Sequence, residues 1–379
     1  MQPVIDLSRE YGVVLEGGGA KGAYQIGAWK AFREAGLKIR GISGTSVGAL
    51  NGALMCMGDV EKAEHVWENI SYSRVMDVDD EKMKLLLQGK LKVREVVKAL
   101  LALLTEGGVD ITPLKELVEE YVDEEKLLRS PISLYVSIFN VDEFRELDVD
   151  IHELEPELIR EVLVASACIF PLFKVEKLQG KTYIDGGAMD NVPLEPLIRR
   201  DYKDIIVVRI FGIGRDKPVK IPEGTSVYTV EPRIDLGNIL DFDAEKSRRN
   251  IQAGYFDACR MIYGLDGIIY YIDDRQDELY YMRKLAAMYK GGNALHHFME
   301  TEPAKLAFEL KLTEWDYRKL YLSMLEATAK LCRVPKYRIY TADELLEAIW
   351  RQKSVLIESK NPIPVFAQMI LSSEGEAIE

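Results

Sequence analysis

The segment Gly41-Ile-Ser-Gly-Thr-Ser-Val-Gly-Ala-Leu-Asn-Gly52 constrains this chain most, because it sets Ser46 at the centre of a Gly44-x-Ser46-x-Gly48 pentapeptide. A nucleophilic serine must leave a buried strand, turn sharply and present its hydroxyl at the start of a helix, and the residues flanking that turn have no room for bulky side chains. Residues 38–43 before it are short and strand-like. Residues 47–55 after it are small and apolar, as in a helix packed closely on a sheet. Three fixed positions in five recur by chance in long chains, so the strand-turn-helix context gives the match its weight.

The rest of the chain offers room for such a sheet. With 379 residues, 47% of them hydrophobic, it can build one large α/β domain and a smaller appendage. The net charge of -13 excludes a broad nucleic-acid-binding face, which needs clustered Lys and Arg. It also disfavours general attraction to a strongly anionic membrane, leaving only a local basic patch. Cys56, Cys168, Cys259 and Cys332 are widely spaced and form neither a C-x-x-C pair nor a Cys/His set, so no metal is expected and each reads as a small core residue in a reducing compartment. The first ten residues lack a basic stretch followed by an apolar run, and no segment reaches the ~18 consecutive apolar residues of a membrane span. A cytoplasmic protein is expected.

Residues 11–16 form a short apolar strand that runs into Gly17-Gly-Gly-Ala-Lys-Gly22, followed by a helical pattern over 23–34. Gly17-x-Gly19-x-x-Gly22 satisfies the dinucleotide fingerprint, but a Rossmann unit needs an acidic residue about 20 positions on, at the tip of the second strand. That strand ends instead in the serine elbow. No Gly-Lys-Ser/Thr follows, so the loop is not a phosphate-binding Walker sequence either. A function that uses both loops is an oxyanion hole, in which glycine amides point N–H groups at developing negative charge.

The pair Gly17-Gly-Gly-Ala-Lys-Gly22 and Gly44-Thr-Ser-Val-Gly48 resembles the patatin-like phospholipase family, bacterial type. A second set of residues agrees. The short strand 181–185 delivers Asp185 into Gly186-Gly187, and with Asn191 and Pro193 behind it the string Asp185-Gly-Gly-x-x-x-Asn-x-Pro193 matches the family's pattern for a catalytic aspartate. Residues 165–171, Ala-Ser-Ala-Cys-Ile-Phe-Pro, resemble the family's segment before a proline, with a departure around Phe170. The resemblance covers about residues 11–262. It implies a three-layer α/β/α patatin-like fold with a mostly parallel central sheet, a catalytic domain over 1–262 carrying a helical cap or lid insertion at about 60–125, and a helical accessory region over 263–379.

It also implies the chemistry. Ser46 and Asp185 form a Ser–Asp dyad that cleaves carboxylic esters of phospholipids or lysophospholipids through an acyl-enzyme. Amides of Gly17, Gly18, Gly19 and Ala20 make the oxyanion hole, supported by Lys21, Gly22, Gly44, Gly48, Gly186, Gly187 and Asn191. No cofactor is called for. Partners are a phospholipid or other lipid ester and, peripherally, the inner membrane; nucleic acid is not a partner, and a homo-oligomer is compatible. Two alternatives stand beside the hydrolase: a lipid-binding membrane effector with little turnover, and a dinucleotide-binding protein using the glycine loop. Of the four histidines, His65, His152, His296 and His297, only the last two follow the order of an α/β-hydrolase triad, and both lie outside the motif-bearing part.

Further expectations concern local structure. Residues 81–104 mix Lys and Arg with Leu and Val and suit either a lipid-facing lid or a core helix. Thr112-Pro113 opens a helix over 114–121, and 134–139 with 144–149 form an antiparallel pair. Thr313 caps a helix over 314–332, and Thr341 with Glu344 forms a capping box.

Overall fold

The computed structural model describes residues 1–90, 107–175, 177–288, 295–359 and 362–373. They divide into two compact units, Ile5–Ile262 and Tyr263–Glu379 with Met1–Val4.

The Ile5–Ile262 unit is a mixed α/β structure around one sheet of eight strands: β1 (Glu10–Leu15), β2 (Lys38–Thr45), β3 (Ser133–Asn140), β4 (Arg145–Asp150), β5 (Lys177–Leu178), β6 (Lys181–Asp185), β7 (Asp204–Val208) and β8 (Ser226–Val230). Parallel pairs link β3 to β2, β2 to β1, β1 to β7 and β7 to β8. The pairs of β3 with β4 and β6, and of β6 with β5, are antiparallel. Parallel strands covered on both faces read as continuous apolar runs rather than alternating ones, and β7, Asp-Ile-Ile-Val-Val, is buried throughout. On one face α2 (Val47–Met57) presses Gly52 onto Leu15, Ile42 and Leu134. On the other, Val14, Tyr135, Ile205 and Val207 pack with Leu197 and Tyr202 from the segment that joins β6 to β7.

The ends of the first helices follow from their caps. α1 (Ala23–Ala35) stops at Gly36 and α2 at Gly58, each left-handed at φ 78°, the conformation glycine adopts without steric penalty. One residue after Gly58, the Asp59 carboxylate accepts the Lys62 N–H and opens α3 (Val60–Glu68). Short helices over Asp80–Leu87, Thr112–Tyr121 and Glu124–Leu128 complete the described part of the insertion between β2 and β3. The helix Asp80–Leu87 has no buried residue. Residues 91–104, the larger part of the segment expected to be lid or core, lie outside the described residues. The expected antiparallel pair is β3 with β4, the turn between them closing at Phe144 with φ 50°.

The register of β3 positions the site. Ser137 pairs with Thr45 of β2 and Asp148 of β4; Ile138, one residue on, pairs with Asp185 of β6 and Leu147 of β4. A strand has two edges. β4 holds one of them across both positions, so β2 and β6 share the other and meet end to end where β2 ends in Thr45 and β6 in Asp185.

In the second unit the helix Tyr317–Leu331 is surrounded by Glu278–Ala287, Ala342–Arg351 and Val365–Ser372, with Tyr281, Leu320, Met324, Leu345 and Ile370 in the core. A two-stranded parallel ribbon joins β9 (Tyr271–Ile272) to β10 (Ile339–Tyr340). The Thr341–Glu344 capping box forms as expected. The cap of Tyr317–Leu331, however, is Asp316 and not Thr313; Asp caps more strongly than Thr, and its carboxylate accepts the Lys319 N–H. Glu326, 3% exposed, sits on the same helix and accepts the N–H groups of Ile268, Ile269 and Tyr270. Removing it strands three donors, so Glu326→Ala is expected to lower stability by about 3 kcal/mol or more, read from the urea midpoint, with Glu326→Gln losing less.

Candidate active site

Ser46 follows the end of β2 with φ 56° and ψ -127°, a backbone conformation that costs a non-glycine residue of order 1–3 kcal/mol and persists only where its surroundings enforce it. The enforcement is visible. A side chain on Gly44 would meet the backbone of Gly48 at 2.5 Å, and one on Gly48 would meet the Leu15 carbonyl at 2.2 Å, so the elbow closes only with glycine on both sides. The Ser46 N–H donates to Ser166 Oγ at 2.9 Å, and that hydroxyl donates onward to the Ser137 carbonyl at 2.8 Å. Ser166 thus ties the turn to β3 at the position where β2 ends. Thr45 Oγ1 donates to the Asp190 carbonyl.

Asp185 comes to the same point from the opposite direction. Its carboxylate accepts the Gly187 N–H at 2.7 Å and lies beside the Ser46 hydroxyl, which favours its charged form. Its own N–H donates to the Cys168 carbonyl. Burial pushes the Asp185 carboxyl up to about 6, and the nearby Ser46 hydroxyl and the Gly187 N–H oppose that shift by favouring the charged form. Ser46 and Asp185 are therefore brought together, both buried, with 4% and 8% exposure.

The glycine loop follows β1 and lies beside them, but it differs from expectation in which amides are free. The Gly17 N–H donates to the Asn191 carbonyl and the Ala20 N–H to the Ile239 carbonyl. Neither is left to meet an oxyanion, because each is consumed in anchoring the loop. Among the described residues the N–H groups of Gly18 and Gly19 have no such acceptor, and Gly19 borders the same cavity as Ser46. Lys21 does not point to the site; its Nζ donates to the Phe211 carbonyl at 2.6 Å. Gly22 abuts Val47 and Trp67 and offers its carbonyl to Asn51. Gly186 lies against the Ser137 backbone.

Glu16, the last residue of the first strand pattern, has a role that its position in the sequence did not reveal. It is 1% exposed. Its carboxylate accepts from Arg209 Nε at 2.8 Å, from the N–H groups of Ile210, Phe211 and Gly212, and from Asn191 Nδ2. Asn191 also donates to the Gly17 carbonyl. One buried charge thus fastens the glycine loop, the segment after β7 and the turn after Asp185. An acidic residue closing an apolar strand beside a glycine run was the available signal, since a buried carboxylate must find partners.

A second buried polar chain braces the loop from behind. Gln25 Nε2 donates to the Glu16 carbonyl, Asn51 Nδ2 to Gln25 Oε1 and the Gly22 carbonyl, and Trp67 Nε1 to Asn51 Oδ1. Trp67 also walls the cavity that opens at Ser46, a narrow space of about 90 Å³ bordered by Leu50, Leu54, Leu114, Val118 and Phe173. Such a space suits a hydrocarbon chain.

The histidines take other partners. His65 meets Asn69 and His152 the Ser130 carbonyl, while His296, in the Tyr263–Glu379 unit, is exposed and pairs with Glu300. At the tip of β2 the dinucleotide fingerprint wants a carboxylate, and the chain has Thr45 and Ser46. All four cysteines are buried and free. Among the described residues no helix is long and apolar enough to cross a membrane.

Because Glu16 neutralises Arg209 and satisfies three backbone donors after β7 and the Asn191 amide, Glu16→Ala is expected to cost about 3–5 kcal/mol in urea unfolding, the range for breaking a buried charge pair from one side.

Residues 13–198 match the family model described as Patatin-like phospholipase. Lysophospholipase nte1 of Aspergillus terreus (strain NIH 2624 / FGSC A1156) is 59% identical over 46 residues, 12% of this chain and 3% of that protein. Neuropathy target esterase sws of Drosophila persimilis is 58% identical over 45 residues, again 12% and 3%. The chain thus spans about 3% of the length of these curated relatives. Among solved structures, VipD from Legionella pneumophila aligns over 95% of this chain and 90% of that one, with 14% identity and a TM-score of 0.42. The elbow and the glycine loop thus both lie inside residues 13–198, the part of the chain that matches the patatin-like phospholipase family.

Proposed function

We propose that the Ile5–Ile262 unit is a serine esterase that hydrolyses carboxylic ester bonds of phospholipids or lysophospholipids. The observation that carries this proposal is the Asp185 carboxylate standing beside the hydroxyl of Ser46, which lines an apolar cavity. Ser46 Oγ attacks the acyl carbonyl while its proton passes to Asp185, and the charge on the resulting tetrahedral oxygen falls to the N–H groups of Gly18 and Gly19. Collapse of the intermediate breaks the bond to the leaving alcohol, which takes the proton from Asp185. The acyl group stays on Ser46 with its hydrocarbon chain in the cavity. Water then attacks the acyl carbon, giving its proton to Asp185, and expulsion of Ser46 Oγ returns that proton to the serine.

An ordinary carboxylate is a weak base for this task. Burial raises Asp185 toward the working pH, and the site keeps it in contact with the proton it must take. The family match supports a lipid hydrolase, and the narrow cavity supports a substrate that presents one acyl chain to the serine.

Ser46→Ala and Asp185→Asn are each expected to lower kcat by roughly 10⁴-fold or more, measured as fatty acid released from mixed phospholipids by mass spectrometry. A fluorophosphonate probe should label the wild type and leave Ser46→Ala unlabelled. The double substitution His296→Ala/His297→Ala should retain activity; its loss in a folded protein would replace the dyad by a triad.

The pH dependence follows from the same carboxyl. The base acts when ionised, so kcat/KM should rise through about pH 6 and level off above it. Asp190, a second buried carboxyl pushed up to about 7 by burial, does not bond Ser46; Asp190→Asn should therefore leave the limb near pH 6 in place. A limb that moved with Asp190 would reassign it.

A further inference from the structure

Two loops that lie near Ser46 and the glycine loop expose large apolar side chains. The first follows β7, where Phe211 is 50% and Ile213 77% exposed. The second follows the helix Pro156–Ser166, where Phe170 is 63% exposed and its neighbour Ile169 borders the cavity. Both lie at the edge of the sheet where β1, β2 and β7 end: Gly212 packs on the Gly17 carbonyl, Gly214 on Asn191, and Cys168 accepts the Asp185 N–H. Single exposed apolar residues are ordinary on any surface. These three lie on loops that meet the site: Ile169, next to Phe170, lines the apolar cavity, and Ile210 and Gly212, on the loop of Phe211 and Ile213, pack on Gly17 and Gly18.

The backbone of the first loop is prepared in an unusual way. The N–H groups of Ile210, Phe211 and Gly212 donate to the Glu16 carboxylate, the Phe211 carbonyl accepts from Lys21, the Arg215 N–H donates to the Gly187 carbonyl, and the Arg215 carbonyl accepts from the Asn191 N–H. An apolar medium offers peptide groups no partners, so a segment entering it needs them supplied by the protein. The Arg209 guanidinium lies 5.5 Å from the Phe211 ring centre and fixes its direction. Arg215 is exposed, and among the described residues no partner meets its guanidinium, which suits it to a lipid phosphate.

We propose that Phe211, Ile213 and Phe170 enter the interfacial layer of a phospholipid bilayer, with Arg215 meeting a lipid phosphate, so that the cavity mouth opens directly against the membrane. An acyl chain then passes from bilayer to cavity without crossing water. The proposal rests on the hydrolase function above for its substrate, but the docking surface is separately testable. With a net charge of -13 on the whole chain, insertion of apolar side chains rather than general electrostatics drives the contact.

The test uses the full chain carrying Ser46→Ala, so that binding is measured without turnover, and vesicles of three parts phosphatidylcholine to one part phosphatidylglycerol. Flotation should recover the protein with the vesicles. Adding Phe211→Ser and Ile213→Ser should weaken binding by about tenfold or more, and Arg215→Glu should weaken it both for these vesicles and for pure phosphatidylcholine, since both carry the same phosphate. With Ser46 intact, the Phe211→Ser/Ile213→Ser protein should hydrolyse the water-soluble ester p-nitrophenyl butyrate within about twofold of wild type, while its rate on vesicles falls with binding. Unchanged vesicle binding would overturn the proposal. So would a loss of soluble-ester hydrolysis equal to the loss on vesicles, which would make these side chains part of the fold. If no ester were cleaved at all, flotation of the Ser46→Ala series would still decide the surface, and only the hydrolase would fall.

Discussion

Two strand ends meet on one edge of β3, and the candidate chemistry depends on that meeting. β2 reaches Ser137 and turns away at a residue held in a conformation that serine seldom adopts; β6 reaches Ile138 from the other direction and delivers a carboxyl. Sheet pairing fixes each end to within a fraction of a residue spacing, which loops alone do not achieve. The hydroxyl and the carboxyl are thereby placed by hydrogen bonds along the backbone, and the helix after the elbow begins with Val47, immediately past the serine. Ser166, from a third segment, holds both the turn and the strand it abuts.

Around this pair, buried charge is distributed in two contrasting ways. Glu16 is surrounded by donors, among them a guanidinium and three backbone N–H groups, so its negative charge is spent on holding segments together. Asp185 has few donors and is pushed toward the neutral form by burial. The same residue class thus acts as a fastener where it is fully solvated by protein, and is the proposed base where it is not. The glycine loop shows the same economy of groups: the N–H groups of Gly17 and Ala20 anchor it, and among the described residues those of Gly18 and Gly19 have no such acceptor.

Much of this was legible in the sequence because the relevant signals are local. Gly44, Gly48 and Gly22 are required by close approach, and a strand followed by glycine and then by a helix pattern is visible in the residues themselves. Ser46 could be named for the same reason, whereas Asp185 was named from the resemblance of its string through Asn191 and Pro193 to the family's pattern. What the sequence did not disclose depends on long-range pairing. Glu16 draws its partners from residues 191 and 209–212, and no periodicity announces that. The division of labour among the loop amides depends on where Asn191 and Ile239 place their carbonyls. The cap at Asp316 rather than Thr313 was a choice between two nearby polar residues that only the start of the helix decides. The inward and outward directions of Phe173 and Phe170, three residues apart, likewise depend on the loop they share.

The pairing of β6 with β3 also bears on how such a chain can change over evolution. Side chains alternate across a strand, so sliding β6 by a single position would carry Asp185 to the opposite face of the sheet. Between Asn140, where β3 ends, and Lys181, where β6 begins, the chain makes a long excursion through β4, a helix and a turn. Insertions or deletions there leave the site untouched so long as three pairs, Ile138 with Asp185, Phe139 with Ile184 and Asn140 with Tyr183, reform as they are, β4 keeps its pairing with β3, and Ser166 and Cys168 keep their bonds to the Ser46 and Asp185 N–H groups. The rest of the excursion is thus free to diversify, while the short strand that closes it is held to a single alignment.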